Sequence, residues 1–89
     1  MDWNLVSFVT GGKLRFKILI ELNKNERIPS ELSNIIGAPI SHISLSMREL
    51  EKNDLIMCLT PDRRKNKYFQ ITKLGKDILE FISKETKIN

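Results

Sequence analysis

Residues 29–53 read PSELSNIIGAPISHISLSMRELEKN, and the order of apolar residues, glycine and proline here decides the fold. Ser30 to Ile36 makes two helical turns, with Leu32, Ile35 and Ile36 on one face. Gly37 ends that helix. Gly37-Ala38-Pro39 is a tight corner, and Pro39 fits the opening turn of the next helix. From Ile40 to Asn53 the apolar residues Ile40, Ile43, Met47 and Leu50 recur at spacings of three and four, the mark of an amphipathic helix. Asn53-Asp54 closes it. A short helix, a glycine corner and a longer amphipathic helix make a helix-turn-helix.

Upstream, Arg27-Ile28-Pro29 is extended, because the residue before proline is driven out of the helical region. Lys13 to Leu22 is a helix, with Leu14, Ile18 and Leu22 in register and Phe16, Leu19 and Ile20 widening the stripe. Asn23-Lys24-Asn25 ends it with a residue type suited to a C-terminal cap. Trp3 to Val9 suits one more short helix, stopped by Thr10-Gly11-Gly12. Downstream the period changes. Leu55 to Leu59 is short, apolar and strand-like, and Tyr68 to Thr72 alternates with β-favouring residues. The loop of about eight residues between them makes a hairpin with a long tip. Thr72 then caps a last helix bearing Leu74, Ile78, Phe81 and Ile82. The expected architecture is mainly α with a small β-hairpin: a three-helix core, a two-stranded wing and a C-terminal closing helix. One domain spans 1–89, with 1–12 as N-terminal helix and turn and 73–89 as closing helix.

Charge narrows the function. Of fifteen Lys and Arg, four lie in Arg63-Arg64-Lys65-Asn66-Lys67, and the remaining eleven balance the eleven Asp and Glu. The whole net charge of +4 therefore sits on one short segment, which suits a polyanion better than diffuse charge does. One histidine, one cysteine and no glycine-rich phosphate loop leave no nucleophile–base pair, so no enzyme is expected. Cys58 has no disulfide partner in its own chain, and a lone cysteine fits a reducing cytoplasm. The acidic start of the chain is unlike a secretory signal, and no apolar run reaches membrane-spanning length. A soluble, cytoplasmic protein without cofactor or metal is the expectation.

The segments Pro29-Ser30-Glu31-Leu32, Ser41-His42-Ile43-Ser44 and Arg48 to Ile56 carry a family resemblance. With the basic loop and Ile71-Thr72-Lys73-Leu74-Gly75, the chain from about residue 13 to residue 82 resembles winged helix-turn-helix transcriptional regulators of the ArsR/MarR kind. Small archaeal members are the most similar. The resemblance implies sequence-specific binding to double-stranded DNA, with helix 40–53 in the major groove and the wing at 60–67 on flanking backbone or minor groove. The residues expected at DNA are Ser30, Ser41, His42, Ser44, Leu45, Ser46, Arg48, Arg63, Arg64, Lys65 and Lys67. Two departures stand out. Leu45 occupies a position where family members often carry a basic or polar residue. Metal-sensing members bring several Cys or His ligands, whereas this chain offers only Cys58 and His42.

Arg48 and Glu49 fall on the outward face of helix 40–53, and Arg48 has a rival reading as the ion-pair partner of Glu49, Glu51 or Glu31 instead of a phosphate contact. The closing helix is apolar over more of its circumference than one core stripe needs, so a homodimer through Trp3, Leu5, Phe8, Leu79 and Ile82 is expected. The alternative function is a winged-helix protein–protein assembly module without specific DNA binding, favoured by the exposed Leu45 and opposed by the basic wing.

Overall fold

Seven elements lie among residues 2–86, which the computed structural model describes. They are α1 (Trp3–Thr10), α2 (Lys13–Lys24), α3 (Pro29–Ile36), α4 (Ile40–Lys52), β1 (Ile56–Cys58), β2 (Phe69–Ile71) and α5 (Lys73–Thr86). The expected terminal segments extend to residues 1 and 87–89, which lie outside the described residues.

Helix α2 is the hub, packing against all four other helices and β2. Its Ile18, Leu19 and Leu22 are buried among Leu32 of α3, Ile43, Met47 and Leu50 of α4, and Ile78, Leu79 and Ile82 of α5. Val9, Leu55, Ile56 and Ile71 complete this core. Each such side chain contributes roughly 1.5–3 kcal/mol on full burial, so the stripes predicted from periodicity supply the main driving force. Among the described residues no polar or charged residue is buried as a whole, and the desolvation cost that offsets this gain falls on Arg27 Nε, which is shut off from solvent.

The hairpin is antiparallel, with Ile56 opposite Ile71, Met57 opposite Gln70 and Cys58 opposite Phe69. Its neck continues past the strands: the Leu59 N–H donates to the Tyr68 carbonyl at 2.8 Å, and the Tyr68 N–H donates to Thr60 Oγ1 at 3.0 Å. The extended segment before Pro29 pairs with β2 through Arg27 and Phe69, which exchange backbone bonds of 3.1 and 2.9 Å. Thr72 caps α5 as expected, its Oγ1 accepting from the Gly75 N–H at 3.1 Å and donating to the Asp54 carbonyl at 2.6 Å.

Three apolar residues depart from the expected inward face. Ile35, Ile40 and Leu74 are 47%, 52% and 39% exposed. Ile40 and Leu74 are the first and second residues of their helices, where packing neighbours exist on one side only. Ile35 sits about 60° round from the buried Leu32, on the open cleft it lines with Lys17, Ile20 and Glu21 of α2. Asn25 does end α2, but in an extended conformation (φ −167°) rather than the left-handed one, with its Oδ1 accepting from the Glu26 N–H.

Gly37 is left-handed (φ +79°, ψ +33°), and its N–H donates to the Ser33 carbonyl at 2.9 Å. Nothing lies within 4 Å of where a Cβ would stand. Gly37→Ala should therefore cost only the conformational penalty, about 1 kcal/mol. Thermal melting should fall by about 4–8 °C.

Candidate nucleic-acid interface

The short corner between α3 and α4 fixes the direction of α4. The Ser33 hydroxyl donates to the Ala38 carbonyl at 2.6 Å, bracing the turn, and the Pro39 carbonyl accepts from the His42 and Ile43 N–H groups. Ile43, Met47 and Leu50 then key one side of α4 into the core. The same 3.6-residue period turns Ser41, His42, Ser44, Leu45 and Arg48 outward, all exposed, with Leu45 at 56%. Ser46 is half-buried at the edge of this face. Ser30 is exposed on the second residue of α3.

Arg48 is in no ion pair among the described residues. Two of its rival carboxylates are engaged elsewhere: Glu31 accepts from the Ile28 N–H at 2.9 Å, and Glu49 lies 3.4 Å from Arg15 Nη1. Glu49, which the helical pattern placed on the outward face, is thus half-buried against α2. Sequence reasoning missed both partners of that pair, which are distant in the chain.

Pro61 to Asn66 are exposed on the wing, and Lys67 is half-buried at its base. The left-handed Asn66 (φ +54°) and a bond from the Arg63 N–H to the Thr60 carbonyl shape the tip. The Arg63 guanidinium lies 5.9 Å from the Tyr68 ring centroid, with Nη1 at 3.4 Å from the Asn66 carbonyl. Arg64 and Lys65 form no ion pair among the described residues, so their charge faces water. The exposed face of α4 and the hairpin adjoin: Ser44 and Arg48 line a cleft of about 170 Å³ that also touches Pro29 and Phe69 of β2.

The residues expected at a dimer interface are spread over two environments. Trp3 is 65% exposed and meets Phe81 edge-on, ring centroids 5.2 Å apart at 82°. Leu5 and Phe8 are half-buried against the core. Leu79 and Ile82 are buried in their own chain, where they also line an α2–α5 groove of about 670 Å³ with Phe16 and Ile20. Cys58 is a free, half-buried thiol in β1. No helix among the described residues is long and apolar enough to cross a membrane.

One protein-family profile, described as the methanogenesis regulatory protein FilR1, N-terminal domain, matches residues 3–84. No curated protein matches the chain in sequence. Solved structures do match in shape. The adhesin competence repressor AdcR of Streptococcus pyogenes superposes with a TM-score of 0.73 at 19% identity, covering 93% of this chain and 66% of its own. A protein of Enterococcus faecalis V583 assigned to the MarR family gives 0.81 at 20% identity, covering 93% of this chain and 77% of its own. The transcriptional regulator Tm0710 of Thermotoga maritima gives 0.71 at 23%, covering 91% and 67%. This chain spans only about two thirds of the length of the streptococcal and Thermotoga proteins. At such identities the likeness establishes the fold, the winged helix seen in MarR-type regulators.

Proposed function

This chain belongs to the family of the FilR1 N-terminal domain, and from that premise we propose that it is a transcription regulator that binds double-stranded DNA. In this reading α4 enters the major groove, with Ser41, His42, Ser44, Leu45 and Ser46 toward base edges. Serine and histidine donate or accept at base edges, and Leu45 lies against thymine methyl groups. Ser30 and Arg48 meet phosphates. Arg63, Arg64, Lys65 and Lys67 follow the flanking backbone or enter the minor groove, displacing counterions. The observation that carries the reading is the charge surplus: all of it rides on the tip of a hairpin whose strand residue Phe69 shares a cleft with Ser44 and Arg48 of α4.

The functional unit in this reading is a cytoplasmic homodimer built from α1 and α5, through the side of Trp3, Leu5, Phe8, Leu79 and Ile82. A two-fold axis sets the two α4 helices about 34–36 Å apart, on successive major grooves of a pseudo-palindromic site. Regulation is then steric, and it needs no catalysis, metal or cofactor. One observation favours a second reading, a protein-assembly module: Ile35, Ile40 and Leu45 are all exposed around the helix-turn-helix corner.

Fluorescence anisotropy of a labelled random-sequence duplex of about 30 base pairs separates the two. The DNA reading expects log affinity to fall linearly with log salt, by about 0.9 for each phosphate neutralised. An RNA duplex of equal length, whose major groove is too narrow for α4, should bind more weakly. Absence of DNA binding at low salt would overturn the proposal and turn attention to a protein partner at Leu45.

A further inference from the structure

We propose that Arg15 is a positioning residue for DNA recognition, acting through Glu49 to hold α4 in register with the N-terminal helix. The inference rests on the DNA-binding reading above. Arg15 is the third residue of α2 and touches two other helices. Its Nε donates to the Phe8 carbonyl at 2.8 Å, and its guanidinium carbon stands 4.1 Å from the Phe8 ring centroid. Its Nη1 lies 3.4 Å from Glu49 Oε1. One planar cation thus caps a carbonyl in the last turn of α1, stacks on that residue's ring and meets a carboxylate on the recognition helix.

The local sequence makes room for this arrangement. A Cβ on Gly12 would stand 2.6 Å from Arg15 Cζ and 2.7 Å from its Nε. Gly12 has an ordinary extended backbone (φ −126°, ψ 109°), so its bare Cα serves the guanidinium rather than the turn. Among the described residues this is also the one polar tie between α1 and α4. The apolar stripe Ile43, Met47 and Leu50 decides which side of α4 faces inward, but dispersion contacts are shallow in angle and sliding. Base readout needs its side chains held within about 0.5 Å and 10–20°. A directional, half-buried ion pair at Glu49, one residue beyond the exposed Arg48, supplies that constraint.

The sign of one substitution separates positioning from plain electrostatics. Glu49 is a negative charge on the helix that would approach phosphates, so neutralising it should by charge alone tighten binding. Positioning requires the opposite. The probe is a duplex recovered by selection from a random library, with a scrambled duplex as reference at the same salt. For Glu49→Gln, affinity for the selected duplex relative to the scrambled one should fall roughly threefold to tenfold. Gly12→Ala, which keeps both charges and displaces the guanidinium, should fall in parallel. The double variant should lose no more than either alone, because both break the same link. Thermal melting confirms that each variant is folded.

Equal or tighter binding of the selected duplex by Glu49→Gln overturns the inference, as does an unchanged affinity ratio for Gly12→Ala. Failure of the unsubstituted protein on every duplex is a different result: it removes the DNA reading itself, and this inference with it.

Discussion

Replacing Arg63, Arg64, Lys65 and Lys67 together with alanine is expected to weaken duplex binding roughly a hundredfold to a thousandfold at physiological salt. Each cation that neutralises a phosphate adds about 0.9 to the slope of log affinity against log salt, so four add up to about 3.6. Between 1 M and physiological salt that slope corresponds to about a thousandfold. The lower figure allows for two cations that are not wholly free. Lys67 is half-buried, and Arg63 leans on Tyr68 and the Asn66 carbonyl.

The same variant should fold normally. Arg63, Arg64 and Lys65 are exposed, and the hairpin neck is built from backbone bonds and Thr60, none of which the substitutions touch. Melting should stay within about 0.5–1 kcal/mol of the unsubstituted protein, most of it from the Arg63–Tyr68 contact. A salt slope unchanged in the variant would mean that the tip is only a solvated loop. Binding would then have to come from α4 alone, and the weight of the reading would shift to Ile35, Ile40 and Leu45 as a protein-contact surface.

How much of this was legible in the sequence follows from the range of each cause. The helix-turn-helix rests on local signals: a 3.6-residue period, a glycine corner that ends a helix and prolines that allow only helix starts or extended chain. All act within a few residues, and the observed bounds agree to within a residue or two. The hairpin was legible because two β-favouring runs bracket a polar loop, and even its eight-residue tip emerges between the Leu59–Tyr68 and Thr60–Tyr68 bonds. Burial at helix ends was not legible. Periodicity assigns Ile35, Ile40 and Leu74 to a face but is silent on where the covering element stops. Glu49 failed for a related reason. Its partner Arg15 lies thirty-four residues away, and no local pattern distinguishes an outward carboxylate from one turned toward another helix. The site itself was read as a face of α4 and a charged loop, which the fold does expose. Which of those side chains would touch a base in the proposed complex depends on a partner's geometry that the chain does not encode locally.

Gly75 shows the same gap in its strongest form and carries the largest expected effect on stability. Its segment, Ile71 to Gly75, resembles the return strand and helix start of winged-helix regulators, yet nothing local explains a glycine in the first turn of a helix. Glycine there costs about 1 kcal/mol relative to alanine. The fold supplies the reason. A Cβ on Gly75 would run into the Leu55 carbonyl oxygen and stand 2.6 Å from Ile71 Cγ1. That carbonyl cannot retreat, because it accepts from the Thr72 N–H at 3.0 Å while the Asp54 carbonyl beside it accepts from the Thr72 hydroxyl. Overpacking against a pinned backbone outweighs the gain in helix propensity, so Gly75→Ala should lose about 2 kcal/mol and Gly75→Val about 3 kcal/mol or more. A domain of this size holds only about 4–13 kcal/mol in total. Thermal melting of Gly75→Val should therefore fall by about 12–24 °C, about three times the drop for Gly37→Ala, where the new methyl meets open space. Equal drops at the two positions would mean that the backbone around Leu55 yields to a side chain at Gly75, which unlike Gly37 has no left-handed conformation to lose. A deep loss confined to Gly75 would show that the wing is held against α5 by an approach too close for any side chain.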